Sequence, residues 1–293
     1  SSGELLPDFN LKKVSDFHDE AKALATITLT SVKDPLQFGV VITDKDKRIT
    51  QFLEKPGWGE VFSDTINTGI HVLEPEILSY IPKGENFDFS QDLFPLLLKN
   101  SDPLYGYPAK GYWRDIGNTD SYREAYHDIY KGRINLRIDE EKQDFVGKDL
   151  RIGSDVTLEE PAGLSGTVVI GDNSQIRGTV QIKDSVIGRN CTIEPGVRLS
   201  RCVLWDNAYV KKGAKISDSV ICVNVRVGQG AVLDEGVIVA DDTSIGDDVK
   251  IKADVKIWPR KVIEAGATVT ANLIWGEKWK KSLFEGAIIK GLS

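Results

Sequence analysis

Between Ile152 and Val269 the aliphatic residues fall on a count of six. From Ile170 the run is Ile170, Ile176, Ile182, Ile187, Ile193, Leu199, Leu204, Val210, Ile216, Ile221, Val227 and Leu233. It continues through Val239, Ile245, Ile251, Ile257 and Ile263 to Val269. A helix repeats its apolar residues every three or four positions, and an ordinary half-buried strand every two. A count of six, with Gly, Asp, Asn and small residues between, fits short flat strands joined by tight turns. Three such strands make a coil, and each coil stacks on the last: a parallel β-helix of hexapeptide repeats. Three steps are five rather than six: Ile182 to Ile187, Leu199 to Leu204 and Ile216 to Ile221. A shortened corner that recurs once per coil is structural. Stacking buries a continuous aliphatic column, so the core grows with repeat number.

The chain before the repeat reads differently. A helix is expected from Leu11 with Asn10 as its cap, then a strand over 24–30. A hairpin over 38–53 follows, then a strand at 66–72 and a helix from Pro75 through Ile81. Ser90 is placed as the cap of a helix running to Lys99. Strands at 104–107 and 112–116 and a helix over 119–130 complete the series, with Lys131-Gly132 closing the helix. This is an α/β domain, expected over 1–134. A linker over 135–149, coils over 150–275 and a tail over 276–293 follow.

The net charge of −7 argues against nucleic acid as a partner, because phosphate backbones need a basic surface. The cluster Lys278-Trp279-Lys280-Lys281 reads as a solvated end. No apolar run reaches the length of a membrane span, so no membrane is expected. Cys191, Cys202 and Cys222 show no metal spacing and read as small buried or corner residues in a reducing compartment, the cytoplasm.

Several charged and amide residues lie at strand ends, where open sheets place their sites. Glu54-Lys55-Pro56 sets a hydroxyl acceptor beside a cation suited to phosphate. Asn67-Thr68-Gly69 adds an amide and a glycine, and Asp115 is a carboxylate open to Mg²⁺. Each has a bland alternative: a solvated strand end, a turn, a helix-start acceptor.

Taken together, Phe38-Gly39-Val40-Val41, Phe52-Leu53-Glu54-Lys55-Pro56, Asn67-Thr68-Gly69-Ile70, Phe87-Asp88-Phe89-Ser90 and Trp113-Arg114-Asp115-Ile116-Gly117 resemble the sugar nucleotidyltransferases. Among these the sequence is most similar to the mannose-1-phosphate guanylyltransferase branch. The resemblance implies a partial Rossmann-like domain with a mixed sheet, followed by a left-handed β-helix. It implies that a sugar-1-phosphate and an NTP are the partners and Mg²⁺ the cofactor, giving an NDP-sugar and pyrophosphate. Lys55 would hold the sugar phosphate, Glu54 the sugar hydroxyls, and Gly39, Asn67, Thr68 and Gly69 the ring. Lys55 and Asp115 would be the catalytic residues.

Asp115 would bind the metal, and Glu4 stands where the family has an Asp after Gly, one methylene longer. The family's glycine-rich phosphate loop has no counterpart in these 293 residues. The chain also has no Met, and Ser1-Ser2-Gly3-Glu4 reads like the end of a strand. The expectation is that this chain alone does not complete the transfer. The text around Leu273–Phe284 resembles the point where some relatives continue into a phosphohexomutase-like domain.

Two further readings compete. A hexapeptide-repeat acyltransferase would need a histidine in the coils, and the only three, His18, His71 and His127, precede them. A non-catalytic regulatory subunit of the same family would bind a sugar nucleotide or a protein through the coils. A homo-oligomer is expected, since open coil ends and flat faces pair between subunits.

Overall fold

The structure is a computed structural model describing residues 4–60, 63–134, 144–145, 150–159, 162–275, 278–279, 284–285 and 288–289. The expected linker and tail therefore lie outside the described residues, apart from short strands at Asp144–Phe145, Lys278–Trp279, Phe284–Glu285 and Ile288–Ile289. The chain forms two compact units, Ser1–Gly117 and Asn118–Ser293.

The first unit holds β1 (Leu5–Pro7), α1 (Leu11–Ala21), β2 (Ala25–Ser31), β3 (Gly39–Thr43), β4 (Ile49–Glu54) and β5 (Thr65–Leu73), then α2 (Phe94–Asn100), β6 (Leu104–Pro108) and β7 (Trp113–Asp115). Five strands make one sheet in the order β4-β3-β5-β2-β6. Only the β2–β6 pair is parallel, so the sheet is mixed, as expected. β1 and β7 form a separate antiparallel ribbon. Ile27, Leu29, Val41, Phe52, Phe94, Leu97 and Leu104 fill the core between sheet and helices. Asn10 caps α1 by accepting the Lys13 N–H at 3.2 Å, and Lys22 in the left-handed region ends the helix.

Two local expectations change. Pro75–Tyr80 forms a 3-10 helix and not an α-helix. The cap before α2 is Asp88, not Ser90. The Asp88 carboxylate accepts the N–H groups of Ser90 and Gln91, each at 2.8 Å, over a wide turn at Phe89–Leu93. Asp outcompetes Ser as an acceptor because its charge strengthens both bonds.

In the second unit the six-residue count becomes three walls of parallel strands. On one wall Ile176, Ile193, Val210 and Val227 are cross-coil partners at intervals of 17 residues, then Ile245 and Ile263 at intervals of 18. The five-residue corners account for the shorter coils. Their aliphatic side chains form one continuous buried column. The corners turn through left-handed residues that repeat with the coils: Asn173, Asn190, Asn207 and Asn224 have φ of 58°, 54°, 61° and 60°. Asparagine accepts this conformation at little cost. Its amides are also used, Asn207 donating to Asn224 at 3.0 Å and Asn224 to Asp242 at 2.8 Å.

A third helix, α3 (Thr119–Tyr130), is capped by Asn118 and ended by Gly132 at φ 68°. By its contacts it falls in the second unit. The reason lies in one coil wall whose outward positions, Val169, Val186, Val203 and Val220, are apolar and buried. Such a wall needs a cover. α3 runs along it, with Tyr122 against Trp205 at 6.3 Å and Glu124 paired with Arg201 at 3.4 Å. Cys191 and Cys202 are buried in the coils and Cys222 partly so; burial pushes all three thiols up to about 11, which leaves them poor nucleophiles.

Candidate functional site

The site is assembled from three places in the first unit. The first is the end of the β3–β4 hairpin, where Gly39 pairs with Glu54. A Cβ on Gly39 would lie 2.8 Å from Glu54 Oε2 and 2.8 Å from Phe52 Cζ, so the glycine is what lets the carboxylate lie over the strand. Glu54 is half-buried, and burial raises its pKa. The neighbouring Lys55 opposes that rise, Asp88 adds to it, and a hydrogen bond from Ser90 opposes it.

Lys55 is exposed and sits at φ 45°. A lysine has no local hydrogen bond to offset the cost of that region, which is of order 1 kcal/mol or more. Its N–H is held by the Phe38 carbonyl at 3.2 Å. Unlike the corner asparagines, Lys55 belongs to no repeat and ends no helix, and unexplained backbone strain clusters at sites.

The second place is a bulge in β5. His71 pairs with Ile27 and Asn67 with Leu29, so Thr68, Gly69 and Ile70 stand where β2 has Thr28 alone. Thr68 is tied inward, its hydroxyl donating to the Thr28 carbonyl at 2.8 Å and its carbonyl accepting from Trp113 Nε1 at 3.1 Å. Trp113 also meets Phe38 edge-on at 5.4 Å, which joins the bulge to the hairpin. Gly69 has φ 76°, and a Cβ there would strike Leu5.

The third place is the β1–β7 ribbon. Leu5 pairs with Asp115, and Ile116 N–H donates to the Glu4 carbonyl at 2.8 Å. The carboxylates converge: Asp115 Oδ1 and Glu4 Oε2 lie 2.9 Å and 3.1 Å from the point a Gly117 Cβ would occupy. Asp115 Oδ1 already accepts the Gly117 N–H at 2.7 Å. Two carboxylates are the donor type that would hold Mg²⁺, which binds through one or two carboxylates and keeps waters and phosphate oxygens as its other ligands. Among the described residues no group of three or more acidic, His or Cys side chains is placed to hold a metal. The extra methylene of Glu4 does not carry its carboxylate away from Asp115.

The contacts thus link Gly39, Glu54, Thr68, Gly69, Asp115 and Glu4 through Phe38, Trp113 and Leu5, with Lys55 at the rim. Two participants were overlooked in the sequence. Ser90 hydrogen-bonds Glu54, and His71 Nε2 lies 3.0 Å from Asn67 Oδ1. Ser90 was visible as part of the Phe87–Ser90 motif, but its hydroxyl was assigned to a helix cap. The short glycine pairs Gly57-Trp58-Gly59 and Gly228-Gln229-Gly230 make no phosphate loop: Gly57 N–H is occupied by Glu60 at 2.8 Å, and Gln229 N–H at a coil corner by Asp247 at 2.8 Å.

Comparison with known proteins bears on the same residues. Residues 2–132 match the family described as nucleotidyl transferase, and residues 148–251 match the EIF2B subunit epsilon LbH domain, a left-handed β-helix. A UTP–glucose-1-phosphate uridylyltransferase of Synechocystis is 34% identical over 190 residues, covering 62% of this chain and 49% of that protein. A mannose-1-phosphate guanylyltransferase of Mycobacterium tuberculosis is 35% identical over 132 residues, covering 45% and 36%. A glucose-1-phosphate adenylyltransferase of Bacillus subtilis is 31% identical over 186 residues, covering 59% and 48%. The chain spans about half the length, or less, of these relatives. They differ in both sugar and nucleotide, so the likeness extends to the sugar-1-phosphate nucleotidyltransferases as a class and not to one branch. A nucleotidyl transferase region that leads into a left-handed β-helix fits a sugar nucleotidyltransferase with a left-handed β-helix.

Proposed function

We propose that this chain supplies the sugar-phosphate side of a nucleotidyl-transfer site, with mannose-1-phosphate and GTP as the substrates. An oxygen of the sugar phosphate attacks the nucleotide α-phosphorus, a new P–O bond forms, and the bond to the β-phosphate breaks to release pyrophosphate. Two anions must be brought together, so positioning and charge neutralisation are the protein's main contributions. Lys55 neutralises the sugar phosphate, and Glu54 accepts hydrogen bonds from sugar hydroxyls. Gly39 and the Asn67–Gly69 bulge leave room for the ring. Asp115 and Glu4 hold Mg²⁺, which when bound supplies further neutralisation between the phosphates.

The observation that carries this reading is the Glu54–Lys55 pair: an acceptor laid over Gly39 beside an ammonium held in strained backbone. Titration of mannose-1-phosphate, glucose-1-phosphate and free mannose into the chain, with and without Mg²⁺, tests it. Lys55→Ala should remove the preference for the phosphorylated sugar. Equal binding of mannose and its phosphate by the unaltered chain would sink the reading. We expect no pyrophosphate release from these 293 residues with mannose-1-phosphate and GTP, since they contain no Gly-Gly-x-Gly loop.

The match of residues 148–251 to a domain of a protein subunit favours a second reading, a non-catalytic subunit that uses its coils for assembly. Sedimentation tells whether the chain forms a homo-oligomer, as proposed here for a cytoplasmic enzyme, or stays alone until a different subunit is added.

A further inference from the structure

We infer that Asn67 is locked as a donor-only recognition group, and that His71 is the positioning residue that locks it. The inference rests on the sugar-phosphate reading of the site and adds the polarity with which that site reads its ligand.

The two ends of an asparagine amide are told apart by their neighbours. Gly69 N–H points at one end from 2.8 Å. A backbone N–H only donates, so that atom is the oxygen, Oδ1. His71 Nε2 lies 3.0 Å from the same oxygen and must also donate, which places the imidazole proton on Nε2. Both lone pairs of Oδ1 are then used. The Nδ2 group keeps two N–H donors, and among the described residues no protein acceptor takes them. Asn67 stays half-buried at the mouth of the β5 bulge. A group so arranged recognises an oxygen that accepts, on a sugar hydroxyl or a phosphate, and makes no bond to a ligand N–H, which can only donate.

His71 is suited to hold this arrangement. Its ring stands edge-on to Phe94 at 5.0 Å and near Phe89 at 6.2 Å. Burial pushes its pKa down to about 4, so it stays neutral at pH 7. Phe89 directly precedes Ser90, which hydrogen-bonds Glu54. One short turn therefore braces an acceptor, Glu54, and through His71 a donor, Asn67. A sugar with adjacent hydroxyls offers both partners, and sites that pair every ligand hydroxyl discriminate most strongly.

The competing explanation is that Asn67 merely closes the local turn with Gly69. Asn67→Asp separates the two, because a carboxylate accepts from Gly69 and His71 equally well but has no N–H to give. The experiment is calorimetric titration of mannose-1-phosphate and glucose-1-phosphate into the whole chain at pH 7, with melting temperature recorded for each variant. Asn67→Asp should melt like the unaltered chain and bind at least about tenfold more weakly. His71→Leu should weaken binding about fivefold, and His71→Gln, whose amide N–H replaces the imidazole donor, should restore it to within about twofold.

Undiminished affinity in Asn67→Asp or in His71→Leu overturns the inference. So does a nitrogen NMR spectrum of the unliganded chain that shows His71 protonated on Nδ1 alone at pH 7. An unaltered chain that binds neither sugar phosphate sinks the functional reading itself, and the recognition role of Asn67 with it. A binding wild type beside an equally binding Asn67→Asp sinks only this inference.

Discussion

Left-handed backbone means different things in the two units. In the coils it is periodic and falls mostly on Asn, Asp and Gly, with Arg201 and Arg260 besides, at corresponding corners, as at Asn190, Asn207 and Asn224 or at Gly196 and Gly213. The first three adopt it cheaply, and its role is to turn the chain. In the α/β unit Lys22 and Ser101 adopt it to end helices and Lys47 adopts it in the β3–β4 turn, whereas Lys55 adopts it beside a half-buried carboxylate, where it ends no helix and closes no hairpin. The coils show that regular strain is architecture. A left-handed residue that ends no helix and closes no hairpin, beside a half-buried acid, is what points to chemistry.

The largest effects expected from testing that contrast lie in the coils. Ile193 is fully buried, and Ile193→Ala should cost about 2–5 kcal/mol in denaturant unfolding of the second unit. It should leave sugar-phosphate binding by the first unit unchanged. Gly228 is next. A Cβ there would lie 2.3 Å from the Gly246 backbone, so Gly228→Ala should cost about 3 kcal/mol. Gly213, with φ 71° and open space around it, should lose only about 1 kcal/mol as Ala. Equal losses at the two glycines would mean that stacking distance does not limit the corners.

A further effect comes from His71 in the first unit; burial also lowers the pKa of His127 on α3 in the second unit, so the two units are read separately. Burial pushes His71 down to about 4 in the folded state. The unfolded chain therefore binds the extra proton first, and stability is full above about pH 6.5 and falls as the pH drops towards 4. The expected loss is about 3 kcal/mol, read from melting of the first unit across that range, and His71→Leu should flatten the slope. The smallest effect tests strain directly. Lys55→Gly should stabilise the first unit by about 1 kcal/mol while abolishing the phosphate preference. Asn207→Gly at a coil corner should change stability by only a few tenths of a kcal/mol. If Lys55→Gly proves as neutral as Asn207→Gly, the distinction drawn between the two units fails.

The coils were the most legible part of the chain. Each aliphatic residue faces its counterpart 17 or 18 positions away, so a periodic fold writes its packing into its text. Even the five-residue corners at Ile182–Ile187 and Ile216–Ile221 could be read before the walls were known. In the α/β unit the elements were legible, and the candidate residues could be named from motifs. Their mutual placement could not. Ser90 reads as a cap because local text shows a helix start; its influence on the Glu54 carboxyl exists only with the wide turn at Phe89–Leu93 folded. His71 gave no signal, because a histidine one strand-step from a glycine is ordinary until a bulge turns it towards Asn67.

The amino-acid sequence alone determined the coil period, the strand and helix order and the identity of the charged residues, since these follow from local spacing and side-chain type. Tertiary structure alone decided three things. It assigned α3 to the coils, brought Glu4 to Asp115, and fixed which end of Asn67 faces outward. Each depends on a partner distant in sequence: an apolar wall, an adjacent ribbon strand, an imidazole beyond a bulge. Hydrogen bonds and burial act through space, and no count along the chain records them.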